Sequence, residues 1–130
     1  MKKRNKVSPQ ETVTRYIFSK RHYAKERERV KYPAFLPKNG ETSVFRIANL
    51  SDNQIWHIGE HDVAAISSRA LHARGDIVAS DVFDEDLEIK PDTRKHRLHA
   101  NIVGWPLQEP HSMRLIATNL AEKAQLHLKP

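Results

Sequence analysis

The residue types best suited to chemistry are histidines, eight in a chain of 130 residues. Two of them, His96 and His99, follow Asp92 closely and are interleaved with Arg94, Lys95 and Arg97. An unperturbed imidazole titrates near pH ~6.5, so a histidine pair can serve as general base and general acid on a phosphodiester. The neighbouring cations would hold the phosphate. His96 and His99 are therefore the candidate catalytic residues. Their segment reads as a loop entering a strand, where positions three apart face opposite ways, so the pairing needs the loop to curl. His57 and His61 have the i,i+4 spacing of two zinc ligands on one helix. Gly59 stands between them and reads as a helix stop, so no metal is assigned. His72, Arg74 and Asp76 surround Gly75 at what reads as the end of a helix.

The chain has no cysteine. Disulfides, thiol nucleophiles and thiolate-bound metals are excluded. No phosphate-binding Gly-rich loop, nucleophile elbow or kinase signature occurs, and no cofactor is expected.

Charge supplies a second candidate function. There are 22 Lys and Arg against 16 Asp and Glu, a net +6. Residues 1–31 contain 11 basic and three acidic side chains, a balance of +8, and the other 99 residues contain 11 basic and 13 acidic, a balance of −2. So concentrated a charge points to a polyanion, DNA or RNA first. The candidate phosphate contacts are Lys3, Arg4, Lys6, Arg15, Lys20, Arg21, Lys25, Arg27 and Arg29, joined by Arg94, Lys95 and Arg97. Two alternatives stand beside nucleic-acid binding. One is a protein-interaction module docking on an acidic partner or on the acidic 76–92 stretch of a second copy, making a homo-oligomer. The other is a nuclease or phosphodiesterase built on His96 and His99. Binding ranks ahead of catalysis, because nothing in the sequence brings those histidines together. The basic start has no hydrophobic stretch behind it and no apolar run approaches ~18 residues, so a cytoplasmic protein without a membrane partner is expected.

The elements that would position these groups follow from local patterns. Residues 1–7 read as a disordered basic arm and 8–130 as a single α+β domain. Ser8-Pro9-Gln10-Glu11 has the form of a capping box, and Val13, Tyr16, Ile17 and Ala24 make a thin apolar stripe, predicting a basic helical segment over 8–32. Thr42–Asn49 reads as a strand, and Ser51-Asp52-Asn53-Gln54 as the start of a short helix stopped at Gly59. A further helix is expected over 61–73, then strands over 76–83, 87–90 and 98–103, with Trp105 on the turn that follows. The spacing of Met113, Ile116, Ala117, Leu120 and Ala124 predicts a final helix. The expected architecture is a small, mainly antiparallel sheet of about four strands packed with N-terminal and C-terminal helices.

Overall fold

Strand alternation, not helical periodicity, organises the first quarter of the chain. The computed structural model describes residues 6–130, so Lys3, Arg4 and most of the 1–7 arm lie outside the described residues. Thr12–Ile17 forms strand β1. A single 3-10 turn at Lys20–His22 leads into a small hairpin of β2 (Tyr23–Ala24) and β3 (Arg29–Val30). The basic helix expected over 8–32 is absent. Its start signal is half present: the Ser8 amide donates to the Glu11 carboxylate and the Glu11 amide to the Ser8 carbonyl, closing one turn that does not propagate. Thr12, Val13, Thr14 and Ile17 are β-branched and suit a pleated strand better than a helix. Val13 and Ile17 are buried on one side, and Thr14 and Tyr16 on the other.

The remaining strands are β4 (Thr42–Arg46), β5 (Ala73–Val78), β6 (Glu88–Pro91), β7 (His99–Val103) and β8 (Gln125–Leu128). With β1 they make a six-stranded antiparallel sheet in the order β6-β7-β4-β1-β5-β8, beside the two-stranded β2-β3 ribbon. The expected four-stranded sheet is thus too small. β1 falls within the stretch expected as a helix, and β8, only four residues long, follows directly on the last helix.

The helices differ from expectation too. α1 (Asp52–His57) carries the capping box at Ser51, with the Ser51 side chain accepting from the Gln54 amide and the Gln54 side chain accepting from the Ser51 amide. It does not stop at Gly59 but continues through wide π turns (Ile58–Ala64) into α2 (Ala65–Ser67), which ends on Ser68 in the left-handed region at φ 58°. Gly59 is there for closeness: a Cβ would lie 2.7 Å from Cε1 of Tyr16. Gly75, expected to cap a helix, lies mid-strand in β5. Ala79–Phe83, expected as strand, is α3, and α4 spans Pro110–Lys123.

Helices cover both faces of the sheet. On one, Val13, Ile17, Val44, Ala73, Ile77, Ala100 and Ile102 pack with Val82 of α3, Ala117, Leu120 and Ala121 of α4, and Trp105. Trp105 is core, and its indole N–H donates to the Ile102 carbonyl. On the other face Tyr16, Phe45 and Ile47 pack against Ile55, Ile58, Ala64 and Leu71. Strand alternation puts Ser43, His99, Asn101, Thr14, Arg74, Asp76 and His127 on this second face as well. A single helix cannot cover six strands, so polar groups flank the apolar patch on both sides.

Candidate functional site

The predicted histidines lie close together, but their ring nitrogens are engaged separately. His96 and His99 both meet the Phe45 ring near edge-on, at centroid distances of 5.3 and 5.2 Å. The Leu98 amide donates to Nδ1 of His96 at 3.1 Å, so the neutral ring carries its proton on Nε2, 2.9 Å from the Asp62 carboxylate. His99 has the opposite tautomer. Its Nδ1 faces only the Asp92 carbonyl oxygen, 3.0 Å away, leaving Nε2 to accept from the Ser43 hydroxyl at 2.7 Å. Asp92 contributes its backbone to His99, while its carboxylate takes both Nε and Nη2 of Arg94 at 2.8 Å. That hydrogen-bonded guanidinium holds the Asp92 carboxyl well below the usual carboxylate range. Ser43 is a partner the sequence reading missed. It lies 56 positions from His99, and only the β4–β7 register brings them together.

A cleft of about 480 Å³ opens between α1 and the loop before β7, lined by Asn53, Gln54, His57, Asp62, His96 and Arg97. The His57 and His61 rings stack at 4.3 Å across one turn of the continuous helix. Among the described residues no group of three or more His, Asp or Glu converges as a metal site.

The cationic residues divide into two sets. Some are consumed by the fold. Arg15 donates to the carbonyls of Ala34 and Ser43 at 2.8 and 3.0 Å, and burial with Arg69 nearby lowers its pKa to about 10. Arg46 pairs with Glu11, Arg94 with Asp92, and the Lys6 carbonyl accepts from Arg46. The others stay open. Lys20, Arg21, Lys25, Arg27, Arg29 and Lys31 are all exposed. None of them forms an ion pair among the described residues. Residues 20–31 hold these six cations and two acids, Glu26 and Glu28, a local charge of +4. The ribbon turns tightly at 25–28, with Glu28 at φ 52°, and β3 buries Val30 against the core. The charge therefore sits on a short, anchored ribbon. Lys95 and Arg97 are exposed near the His96 cleft, away from the ribbon in sequence. His22, at the ribbon's base, is held below its ordinary pKa by burial and by the Arg15 charge.

Arg74 and Asp76 of the third polar group, expected around Gly75 at the end of a helix, lie instead within strand β5. Arg74, 2% exposed, points from β5 into a knot of partners. Its Nε lies 3.1 Å from Asp76 Oδ1 and its Nη2 2.9 Å from Asp52 Oδ1, and its guanidinium packs 4.8 Å from the centre of the Trp56 ring. Asp76 also accepts from the buried Thr14 hydroxyl at 2.7 Å and lies 3.4 Å from His127 Nε2. Nη1 of Arg74 is buried without a hydrogen-bond partner. Arg74 and Asp76 stand two apart, a spacing that joins side chains on a strand and separates them on a helix end. Beside them lies a cleft of about 560 Å³ that reaches Lys25 and Glu28 at the ribbon's turn.

No helix among the described residues is long and apolar enough to cross a membrane. No protein-family model, curated protein or solved structure matches the chain.

Proposed function

We propose that the protein binds nucleic acid through the phosphate backbone, using the exposed ribbon at 20–31 and not a helix. The observation that carries this reading is the division of the cations: Arg15, Arg46 and Arg74 serve the fold and Arg94 is paired with Asp92 at the surface, while the six of residues 20–31 remain exposed without an ion pair among the described residues. Keeping six like-charged groups within a stretch of twelve residues opposes the compact state by self-repulsion, and a polyanion relieves it. The acidic stretch that could have drawn in a second copy is partly occupied at home, since Asp76 pairs with Arg74, Asp81 with Lys123 and Asp92 with Arg94. That favours nucleic acid over self-association. The histidine pair supports catalysis less well, because both nitrogens of His96 and of His99 already have partners.

The test is fluorescence anisotropy with a labelled oligonucleotide across a salt series. If all six cations meet phosphates of a duplex, the log–log slope is about −5, and the triple variant R21A/R27A/R29A loses about half of it. A slope near zero, or equal affinity for polyglutamate, overturns the proposal and returns the ribbon to a protein-docking role.

A further inference from the structure

We infer that the cleft beside Arg74 is a nucleobase pocket with the hydrogen-bonding edge of guanine, fed by the cationic ribbon on its rim. Six side chains make the case: Lys25 and Glu28 from the ribbon, Asp52 and Trp56 from α1, Arg74 from β5 and His127 from β8. The volume, about 560 Å³, is in the range of small-ligand sites.

The charge inside the cleft differs from the charge outside it. Arg74 and Lys25 face Asp52 and Glu28, with Asp76 directly behind Arg74. Counting His127 as neutral, these five groups sum to −1. A phosphate is poorly served there, whereas the rim at +4 suits it. The interior instead fits a neutral group that presents N–H donors to carboxylates and one acceptor to a guanidinium.

The donor and acceptor positions narrow the choice. Asp52 uses Oδ1 for Arg74 Nη2, and its side chain is 79% exposed. Arg74 holds back one buried donor, Nη1, with no partner. The Asp52 carboxylate and the Nη2 donor of Arg74 lie next to each other, joined by the 2.9 Å bond between them. Guanine carries the complementary order on one edge: the N2 amine and N1–H donate to the carboxylate, and O6 accepts from the arginine. Adenine, cytosine and uracil each turn a lone pair toward the carboxylate beside their single donor, which is repulsive. Asp52, 79% exposed, is the member free to turn, and its movement releases the Nη2 donor for O6. The Trp56 indole lines the same cleft, with the Arg74 guanidinium 4.8 Å from its ring centre, so it reports on a ligand bound there.

This inference deepens the nucleic-acid reading, but it is tested on free nucleosides, which carry no phosphate and do not need the ribbon. The probe is the indole resonance of Trp56 in the whole protein, with that of Trp105, buried and bonded to the Ile102 carbonyl, as the unmoved control. Guanosine is expected to bind about tenfold or more tightly than adenosine, cytidine or uridine, and inosine, which lacks the N2 amine, about fivefold more weakly than guanosine. Asp52→Asn keeps the size of an exposed side chain and removes the second acceptor, and it should bring the four nucleosides to within about twofold of one another. Equal binding of all four by the wild type, or a guanine preference that survives in Asp52→Asn, overturns the pocket. If guanosine fails while oligonucleotides still bind with a steep salt slope, the pocket is overturned and the ribbon reading stands. If guanosine binds and oligonucleotides do not, the ribbon reading falls and the pocket stands.

Discussion

Arg74, at 2% exposure, is a costly side chain to leave without its partners, and the two carboxylates that hold it should differ sharply in value. Asp76 is 14% exposed and bonds Arg74 Nε from the same strand face, whereas Asp52 is 79% exposed and reaches Nη2 from the start of α1. Taking the charge from Asp76 leaves a guanidinium at 2% exposure with only an exposed carboxylate for company. Removing one member of a buried pair costs about 3–5 kcal/mol, because the survivor is then a buried charge without compensation. Asp76→Asn isolates that effect, since the amide oxygen still accepts from the Thr14 hydroxyl. For a chain of this size each kcal/mol moves the thermal midpoint by about 4 °C, so Asp76→Asn is expected to lower it by about 12–20 °C. Asp52→Asn breaks a solvent-screened contact and should leave the midpoint close to wild type. The double variant Arg74→Met/Asp76→Asn replaces the pair with a neutral one and should recover at least about half of the loss. Thermal unfolding followed by far-UV circular dichroism measures all three. Equal losses at Asp52 and Asp76, or a double variant no better than Asp76→Asn, would refute the view that Arg74 is a buried charge held chiefly by one carboxylate.

Other consequences are simpler to state. Gly59→Ala gains about 1 kcal/mol of helix propensity but pushes a methyl into the Tyr16 ring, which its 2.6 Å hydrogen bond to the Ile55 carbonyl keeps in place. Overpacking costs about 1–3 kcal/mol, so a net loss in urea unfolding is expected, and a stabilised variant would show that the π turn relaxes freely. The pH profile of stability should have two acid limbs. His22 is held below its ordinary 6.5, so the folded state binds fewer protons there and stability declines once the pH drops under 6.5. Asp52 and Asp92 are held below 3.8, and the stability they contribute is present above that value and is lost below it. His22→Gln should flatten the upper limb and Asp92→Asn part of the lower one in urea midpoints measured from pH 3 to 8; unchanged limbs would assign acid sensitivity to other groups.

How much of this was legible in the sequence depends on the distance over which each signal acts. The helix α4 was readable because its periodicity spans 14 residues, and the capping box at Ser51 because it is complete within four. At Ser8 the same local signature formed its turn, but Glu11 was drawn off to Arg46, 35 positions away, and the β-branched run behind it paired with β4 and β5. Gly59 and Gly75 both looked like stops. One is a close approach to Tyr16, and the other lies 3.0 Å, measured from a notional Cβ, from the Val30 side chain. A glycine that ends a helix and a glycine that admits a neighbour are identical until the neighbour is known. Of the candidate site, the charge imbalance was visible and its arrangement was not: a run of cations reads the same on a helix or a ribbon. The Ser43–His99 contact is a property of strand register, which no local pattern encodes.

The ribbon has a physical advantage over the helix it replaces. A helix with lysines and arginines at nearly every turn spreads its charge around the circumference, and only part of it can meet one strand of phosphates. A two-stranded ribbon of four residues, anchored by Val30, holds Arg29 in a strand and Lys25 and Arg27 in its turn, with Lys20, Arg21 and Lys31 on its flanks. Lys25 and Glu28 stand in that turn and also line the cleft at Arg74, so the segment proposed to meet a polyanion adjoins the cavity proposed to sort its bases. Phosphate contacts position a strand, and contacts to base edges read it. If both surfaces act on one ligand, Lys25→Ala should both reduce the salt slope by about one and lower discrimination at a single nucleotide, whereas Arg29→Ala should reduce the slope alone. Competition anisotropy with oligonucleotides that differ at one base separates the two effects. Identical behaviour of the two variants would mean that the ribbon and the cleft do not share a ligand.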